Sequence, residues 1–232
     1  RHCTMSEALI ELRNLTFGWT RNRVDLDIAA LDIARGARVF VRGASGSGKS
    51  TLLSLLAGVN VPRSGTLRVL GQALGSLSGA ARDRFRAEHI GYVFQQFNLL
   101  PYLSARDNVV LGLNFSRERA ARVANRKAMA DELLQRLGLD ARHIGALASE
   151  LSVGQQQRVA AARALIGAPE LIIADEPTSA LDADTRDQFL SLLIDASTAA
   201  GSAVLFVSHD YGLRSHFDTT LDLHTLNRAR AA

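Results

Sequence analysis

Gly43-Ala44-Ser45-Gly46-Ser47-Gly48-Lys49-Ser50-Thr51 follows the pattern G-x-x-x-x-G-K-[ST] of a phosphate-binding loop. The residues on either side supply the context that the pattern needs. Ala37 to Arg42, with Val39, Phe40 and Val41, reads as a short apolar strand, and Leu52, Leu53, Leu55 and Leu56 recur at helical spacing until Gly58. In such a strand, loop and helix the glycines let successive backbone N–H groups turn inward on a polyphosphate. The helix start adds its unsatisfied N–H groups and the positive end of its dipole. Lys49 then reaches the β- and γ-phosphates as a compact charge, and the Ser50 hydroxyl is available to Mg2+. A glycine-rich turn with a chance lysine is the bland alternative, and the match in this context argues against it. The stretch implies a nucleoside triphosphate site in an α/β fold.

A chain of 232 residues suits one large domain, or a domain with a subdomain. Its 47% hydrophobic and 22% charged content is that of a soluble globular protein rather than a disordered or membrane-embedded one. No apolar run approaches the ~18 residues of a membrane span, and the first residues lack the succession of a secretory signal. Met5 reads as the natural start, which sets Arg1 to Thr4 aside. The single cysteine, Cys3, lies in that piece, so no disulfide framework is expected and the cytosol is the expected compartment. The net charge of +4 rests on 27 basic residues, with clusters near Arg82–Arg86 and Arg117–Lys127. Such a balance fits a nucleic-acid partner, and it fits solvated helix faces equally well.

Residues 8 to 41 alternate in the β manner through Leu9-x-Glu11, Leu15-x-Phe17-x-Trp19, Val24-x-Leu26-x-Ile28 and Leu31-x-Ile33, before a turn at Arg35-Gly36. A small, mainly antiparallel sheet is expected there. Trp19, near a strand end, is either a ring that stacks on a nucleobase or an ordinary aromatic. Thr66 to Leu70 and Ile90 to Phe94 read as strands, and Ala80 to Ala87 as a short basic helix. Gln95 falls just past a strand end, where its amide oxygen can meet a metal or an attacking water. Residues 104 to 147 read as helical, with Ser104 as a cap and one long helix from Arg117 to Leu137 closed by Gly138. Leu151-Ser152-Val153-Gly154-Gln155 opens another helix, where Ser152 is a second small anion site or simply an N-cap.

Leu171-Ile172-Ile173-Ala174-Asp175-Glu176 is an apolar run without alternation, as suits a buried parallel strand, and it ends in two carboxylates. Asp175 is suited to hold the Mg2+ shell and Glu176 to polarise a water. The alternative is a pair of acidic residues at the next helix start. Pro177 to Asp182 turns into a helix from Ala183 to Thr198. A second bare run, Ala203 to Val207, delivers Ser208-His209-Asp210 to the same sheet edge.

Taken in this order, the pieces resemble the ATP-binding cassette (ABC) ATPases over essentially the whole chain. The decisive element is Leu151-Ser152-Val153-Gly154-Gln155, which is similar to that family's LSGGQ signature. Asp175-Glu176, Ser179-Ala180-Leu181-Asp182 and His209 then follow in family order. The resemblance implies an α/β P-loop NTPase core, a small antiparallel β subdomain and an inserted helical subdomain. These make a single domain over 5–232, with 5–79 and 166–232 as core and β subdomain and 80–165 as the helical, signature-bearing part. It implies an ATPase using ATP and Mg2+. Gly43, Ala44, Ser45, Gly46, Ser47, Gly48, Lys49, Ser50 and Thr51 would bind phosphate, with Ser50, Gln95 and Asp175 around the metal. Glu176 would be the general base, His209 a γ-phosphate contact and Asp182 a link across a dimer. Trp19 falls where the family has an aromatic against adenine.

The family's second signature position is commonly glycine and is Val153 here, which reduces local backbone freedom. Ser152, Gly154 and Gln155 remain. Val93-Phe94-Gln95-Gln96-Phe97-Asn98-Leu99-Leu100-Pro101 resembles the lipoprotein-release and macrolide-export branch, whose ATPases energise bacterial permeases. The implied partners are a second copy, facing the first head to tail around two Mg-ATP, and separate integral membrane permease subunits bound through residues 80–150. A periplasmic adaptor or acceptor would be reached through the permease. The implied place is the cytoplasmic face of the inner membrane. One rival is a soluble ABC ATPase acting on nucleic acid, although the coiled-coil, zinc or tandem insertions usual there are missing. Another is a nucleotide sensor of negligible turnover, for which Val153 is the support.

Overall fold

In the computed structural model, which describes residues 8–44, 46–179 and 181–229, the alternating start of the chain forms two long strands. They are β1 (Ala8–Phe17) and β2 (Leu26–Ala34). Leu12 faces Leu31 and Leu15 faces Ile28 across the antiparallel pair, so the period of two buries one side of the sheet. The chain continues through β3 (Arg38–Arg42), α1 (Lys49–Leu56), β4 (Ser64–Val69) and β5 (Gln72–Ala73). Next come α2 (Gly79–His89), β6 (Ile90–Val93), α3 (Ala105–Leu111), α4 (Arg117–Ala121), α5 (Arg126–Arg136) and α6 (Val153–Leu165). It ends with β7 (Leu171–Asp175), α7 (Ala183–Ala199), β8 (Ala203–Val207), β9 (Thr219–Asp222) and α8 (Leu223–Leu226). The readings at Cys3, Met5, Ser45 and Ala180 lie outside the described residues.

Two sheets result. The antiparallel one runs β2-β1-β4-β5, and the other runs β6-β7-β8-β3-β9 with every pair parallel. Alternate residues of the parallel strands serve different cores. Phe40, Ile172, Ala174, Val204 and Phe206 pack with the helices α3, α5, α6 and α7. Val39, Val41, Ile173, Leu205 and Val207 pack with α1 and the antiparallel sheet. Burial on both faces is why β7 and β8 read as unbroken apolar runs.

Two expectations need correction. Arg117 to Leu137 is not one helix: the chain leaves helical geometry at Arg122 and restarts at Asn125, whose side chain accepts from the Ala128 amide at 3.1 Å. Asparagine favours a cap over a helix interior because its side chain competes for backbone donors. The span 80–165 is also not purely a helical insertion. Its strand β6 is the edge of the parallel sheet beside β7, and α6 packs on β6. The sheet needs that strand to carry Gln95 to its carboxyl edge.

Candidate active site

Every strand of the parallel sheet points its carboxyl end the same way, so β3, β6, β7 and β8 deliver their following residues to one edge. A cleft of about 760 Å3 lies there, walled by Lys49, Ser50, Gln95, Glu176 and His209, with Trp19 at its rim. Gly46, Ser47, Gly48 and Thr51 also line it. Gly43 and Ala44 face an adjoining cavity shared with His209. The glycine at 43 is needed for close approach, because a Cβ there would come within 2.3 Å of Ser47 Oγ. Gly48 starts α1 from a left-handed φ of 98° that other residues resist.

Lys49 is nearly buried, and its ammonium donates to the Gly43 and Ala44 carbonyls at 2.8 and 3.1 Å. Glu176 directly follows β7 with a positive φ of 46°. Its amide donates to the Val207 carbonyl at 3.0 Å, which extends the β7–β8 pairing by one residue before the chain turns. Left-handed backbone at a glutamate is strained, and such strain persists only where the surroundings hold it. The turn sets Glu176 Oε1 2.6 Å from His209 Nε2 and 3.9 Å from Lys49 Nζ.

Asp175 does not line the cleft itself. Burial, and then the charge of Glu176, push its carboxyl above the usual aspartate range. Lys49 and the Tyr92 hydroxyl oppose that shift. Tyr92, on β6, is itself raised far above the usual phenol, first by burial and then by Asp175. Trp19 is perpendicular to Phe17 at 5.2 Å and 63% exposed, so much of its ring surface is open to a stacking partner.

Ser152, Gly154, Gln155 and Asp182 are not brought into this cleft. Ser152 caps α6, forming a reciprocal pair with Gln155: Gln155 N donates to Ser152 Oγ at 3.3 Å, and Ser152 N donates to Gln155 Oε1 at 2.8 Å. Val153 occupies the first helical position with an exposed side chain. Asp182 caps α7 through the Thr185 amide at 2.9 Å. That bond holds its carboxyl below the usual range.

Several supporting residues carry no motif. Asn227 donates to the Ser47 and Asp25 carbonyls and accepts from the Asp27 amide, tying the phosphate loop to β2. Arg163, on α6, donates to the Phe97 and Asn98 carbonyls at 2.5 and 2.6 Å, where both residues have positive φ. It thereby pins the loop after Gln95 to the helix begun by Ser152. Buried Arg119 donates to the Ala164 and Ile166 carbonyls at the end of α6, and burial lowers its guanidinium to about 10. Among so many arginines nothing in the pattern distinguishes these. Many others are paired in the fold, as in Arg13–Asp32, Arg38–Asp218, Arg42–Asp222 and Arg106–Asp131.

The residues present fit ATP and Mg2+. Ser47 Oγ is buried without a hydrogen-bond partner among the described residues, an orphaned polar group in the phosphate loop that a ligand oxygen could satisfy. Ser50, Gln95 and Asp175 offer the oxygen ligands that a hard cation takes.

A strand-edge cleft of this make defines a nucleotide hydrolase of the phosphate-loop class, and residues 26–179 match the model of the ABC transporter family. The chain belongs to that family and is an ABC-type ATPase, with ATP and Mg2+ as its ligands. It is 42% identical over 224 residues to the macrolide export ATP-binding/permease protein MacB 1 of Aeromonas hydrophila subsp. hydrophila. That match covers 94% of this chain and 34% of the relative, so the chain spans about a third of that protein's length. The lipoprotein-releasing system ATP-binding protein LolD of Chromohalobacter salexigens is 41% identical, covering 85% of this chain and 82% of its own. A dimeric ATP-binding cassette solved in a post-hydrolysis state with ADP and Pi superposes with a TM-score of 0.79 at 32% identity. It covers 92% of this chain and 93% of its own. These matches agree with the lipoprotein-release and macrolide-export branch. Among the described residues no helix is long and apolar enough to cross a membrane.

Proposed function

We propose that the chain is the ATP-hydrolysing subunit of a transporter, working as a head-to-tail pair and driving a separate membrane permease. Export, or extraction of a lipoprotein- or lipid-type substrate, is the activity that its relatives suggest. The observation that carries the reading is the division of the motif residues between two surfaces. Lys49, Gln95, Glu176 and His209 wall one cleft, whereas Ser152, Val153 and Asp182 sit at helix starts outside it. A second copy related by a two-fold axis would bring its Ser152, Gly154 and Gln155 to the open side of the cleft.

Within the cleft, Lys49 and the loop amides hold the phosphates and Trp19 stacks on the adenine. Glu176 accepts the proton of the attacking water, held in position by its left-handed turn and by His209. His209 reaches the γ-phosphate, and Asp182 carries the state of one copy to the other. Ser50, Gln95 and Asp175 would hold Mg2+, which would supply neutralising charge for the phosphates.

The permease would bind a second depression, a groove of about 610 Å3 beside β6. Val59, Phe94 and Phe115 line it and are 57%, 40% and 72% exposed, far from the usual burial of such side chains. Arg84, on the same wall, has no acidic partner among the described residues. A short helix with an apolar face and a carboxylate would suit it. Tyr92 and Phe94 face this groove while Gln95, one residue on, faces the cleft, so one strand end reports between the two. A chain so bound lies on the cytoplasmic side of the cell membrane without entering it. The pairing of many arginines with carboxylates weighs against nucleic acid as the partner.

Glu176→Gln keeps shape and hydrogen bonding but removes the base, so hydrolysis should fall by about 10²–10⁴-fold. ATP should still bind and now persist between copies. Light scattering should therefore give a monomer alone and a dimer with MgATP. Normal hydrolysis by this variant would remove Glu176 from the role assigned to it.

A further inference from the structure

The Glu176 carboxylate is oriented by His209, and what orients His209 lies on a different element. Ser208, before it, is buried and donates its amide to the Val41 carbonyl at 3.3 Å. Asp210, after it, donates its own amide to Ser208 Oγ at 3.0 Å. The Asp210 carboxylate divides its two oxygens: Oδ1 accepts from the Gly212 amide at 2.9 Å, and Oδ2 pairs with Arg186 Nη1. Arg186 stands in the first turn of α7, four residues after Asp182, and its amide donates to the Asp182 carbonyl at 3.0 Å. Its side chain is only 23% exposed, and Nε is buried with no partner among the described residues. Asp187, 3.9 Å from Nε, is the other carboxylate near it.

A mostly buried arginine that leaves Nε without a hydrogen bond, with Asp187 only at long range, in order to hold the Asp210 carboxylate is a costly arrangement for stability alone. Charge-assisted pairs of this kind fix direction as well as distance. We infer that Arg186 is a positioning residue: its ion pair with Asp210 ties the turn carrying Asp182 to the turn carrying His209. A second copy pressing on Asp182 thereby sets the orientation of the imidazole beside Glu176. This rests on the roles proposed above for Asp182 and His209.

The test measures kcat and KM for ATP on the full chain. Arg186→Ala and Asp210→Asn should each lower kcat by about 10- to 100-fold through misplacement of His209, with KM for ATP within about twofold of the parent and melting temperature unchanged. Asp210→Asn retains an oxygen for the Gly212 amide, so it separates the ion pair from the cap and carries the test should Arg186→Ala fail to fold. The double variant should be no slower than the slower single one, since both break one link. Arg186→Lys should recover much of the rate. Parent-like kcat in either single variant, additive losses, or a rate loss matched by a fall in melting temperature would overturn the inference. His209→Ala is the control on the underlying reading. If it hydrolyses ATP at the parent rate, the role of His209 falls and this inference with it; if it is inactive while Arg186→Ala is not, only the positioning role falls.

Discussion

The nucleotide cleft and the groove beside β6 are of similar size, about 760 and 610 Å3, and are built on opposite principles. The cleft collects polar groups from the ends of four parallel strands, where the topology alone brings Lys49, Gln95, Glu176 and His209 together. The groove collects apolar side chains, Val59, Phe94 and Phe115, from segments with no shared motif. In the first, polar groups are held by contacts that can be named one by one. In the second, exposed apolar area sits between basic side chains and can be matched only by a complementary surface. The contrast separates a polar surface suited to a nucleotide from an apolar one open to a protein partner.

The contrast breaks first at Lys49. Lys49→Ala removes the buried cation that faces the phosphates, so ATP affinity should fall by roughly 100-fold, about 3 kcal/mol. Calorimetric titration measures it, and affinity within about threefold of the parent would mean that the phosphate loop is not the main site. A smaller change sharpens the comparison. Trp19 and Phe115 are both exposed aromatics, at 63% and 72%, one at each depression. Trp19→Ala should weaken ATP binding by about 1–3 kcal/mol, the worth of one stacked base, while Phe115→Asp should leave ATP affinity alone and abolish co-purification with the permease. Equal effects of the two on ATP would erase the distinction between the depressions.

The smallest effect lies where α2 and α4 meet β7. Glu170 is partly desolvated, which alone would raise its carboxyl. Its bonds to His89 at 3.0 Å and Arg122 at 3.2 Å outweigh this and hold it below the usual glutamate range. A depressed carboxylate contributes stability above its unfolded value, and that contribution is lost as pH falls through the folded one. Glu170→Gln should therefore cost on the order of 1 kcal/mol at pH 7, and the difference from the parent should shrink as pH falls through and below the usual glutamate range. Thermal melts across that range check it, and a constant difference would contradict the sign.

The cleft was legible from sequence because its residues follow strand ends at fixed spacings. A run such as Leu171 to Glu176 declares both its burial and the sheet edge at which its two carboxylates emerge. The two sheets followed from the same periodicities. The restart of the helix at Asn125 was hidden because the flanking alanines and arginines favour helix on either side of a cap. The place of β6 in the parallel sheet was hidden because a strand as short as Ile90-Gly91-Tyr92-Val93 carries no sign of which sheet it joins. Asn227, Arg163 and Arg119 act through backbone carbonyls far away in sequence, and such contacts leave no spacing to read. The groove escaped notice because Val59, Phe94 and Phe115 each look like a core residue until the fold leaves them exposed.

In the proposed head-to-tail pair each working site is shared between two copies, and mixing two inactive chains tests this most directly. Lys49→Ala lacks the phosphate-binding half of its own cleft, and Ser152→Arg spoils the half it lends to its neighbour. In a head-to-tail pair of one each, the intact Lys49 meets the intact Ser152, and one of the two sites is whole. Either variant alone should hydrolyse almost no ATP, and an equimolar mixture should recover up to about a quarter of the parent rate, half of the pairs being mixed with one good site each. A mixture no faster than the mean of the separate variants would contradict the shared site.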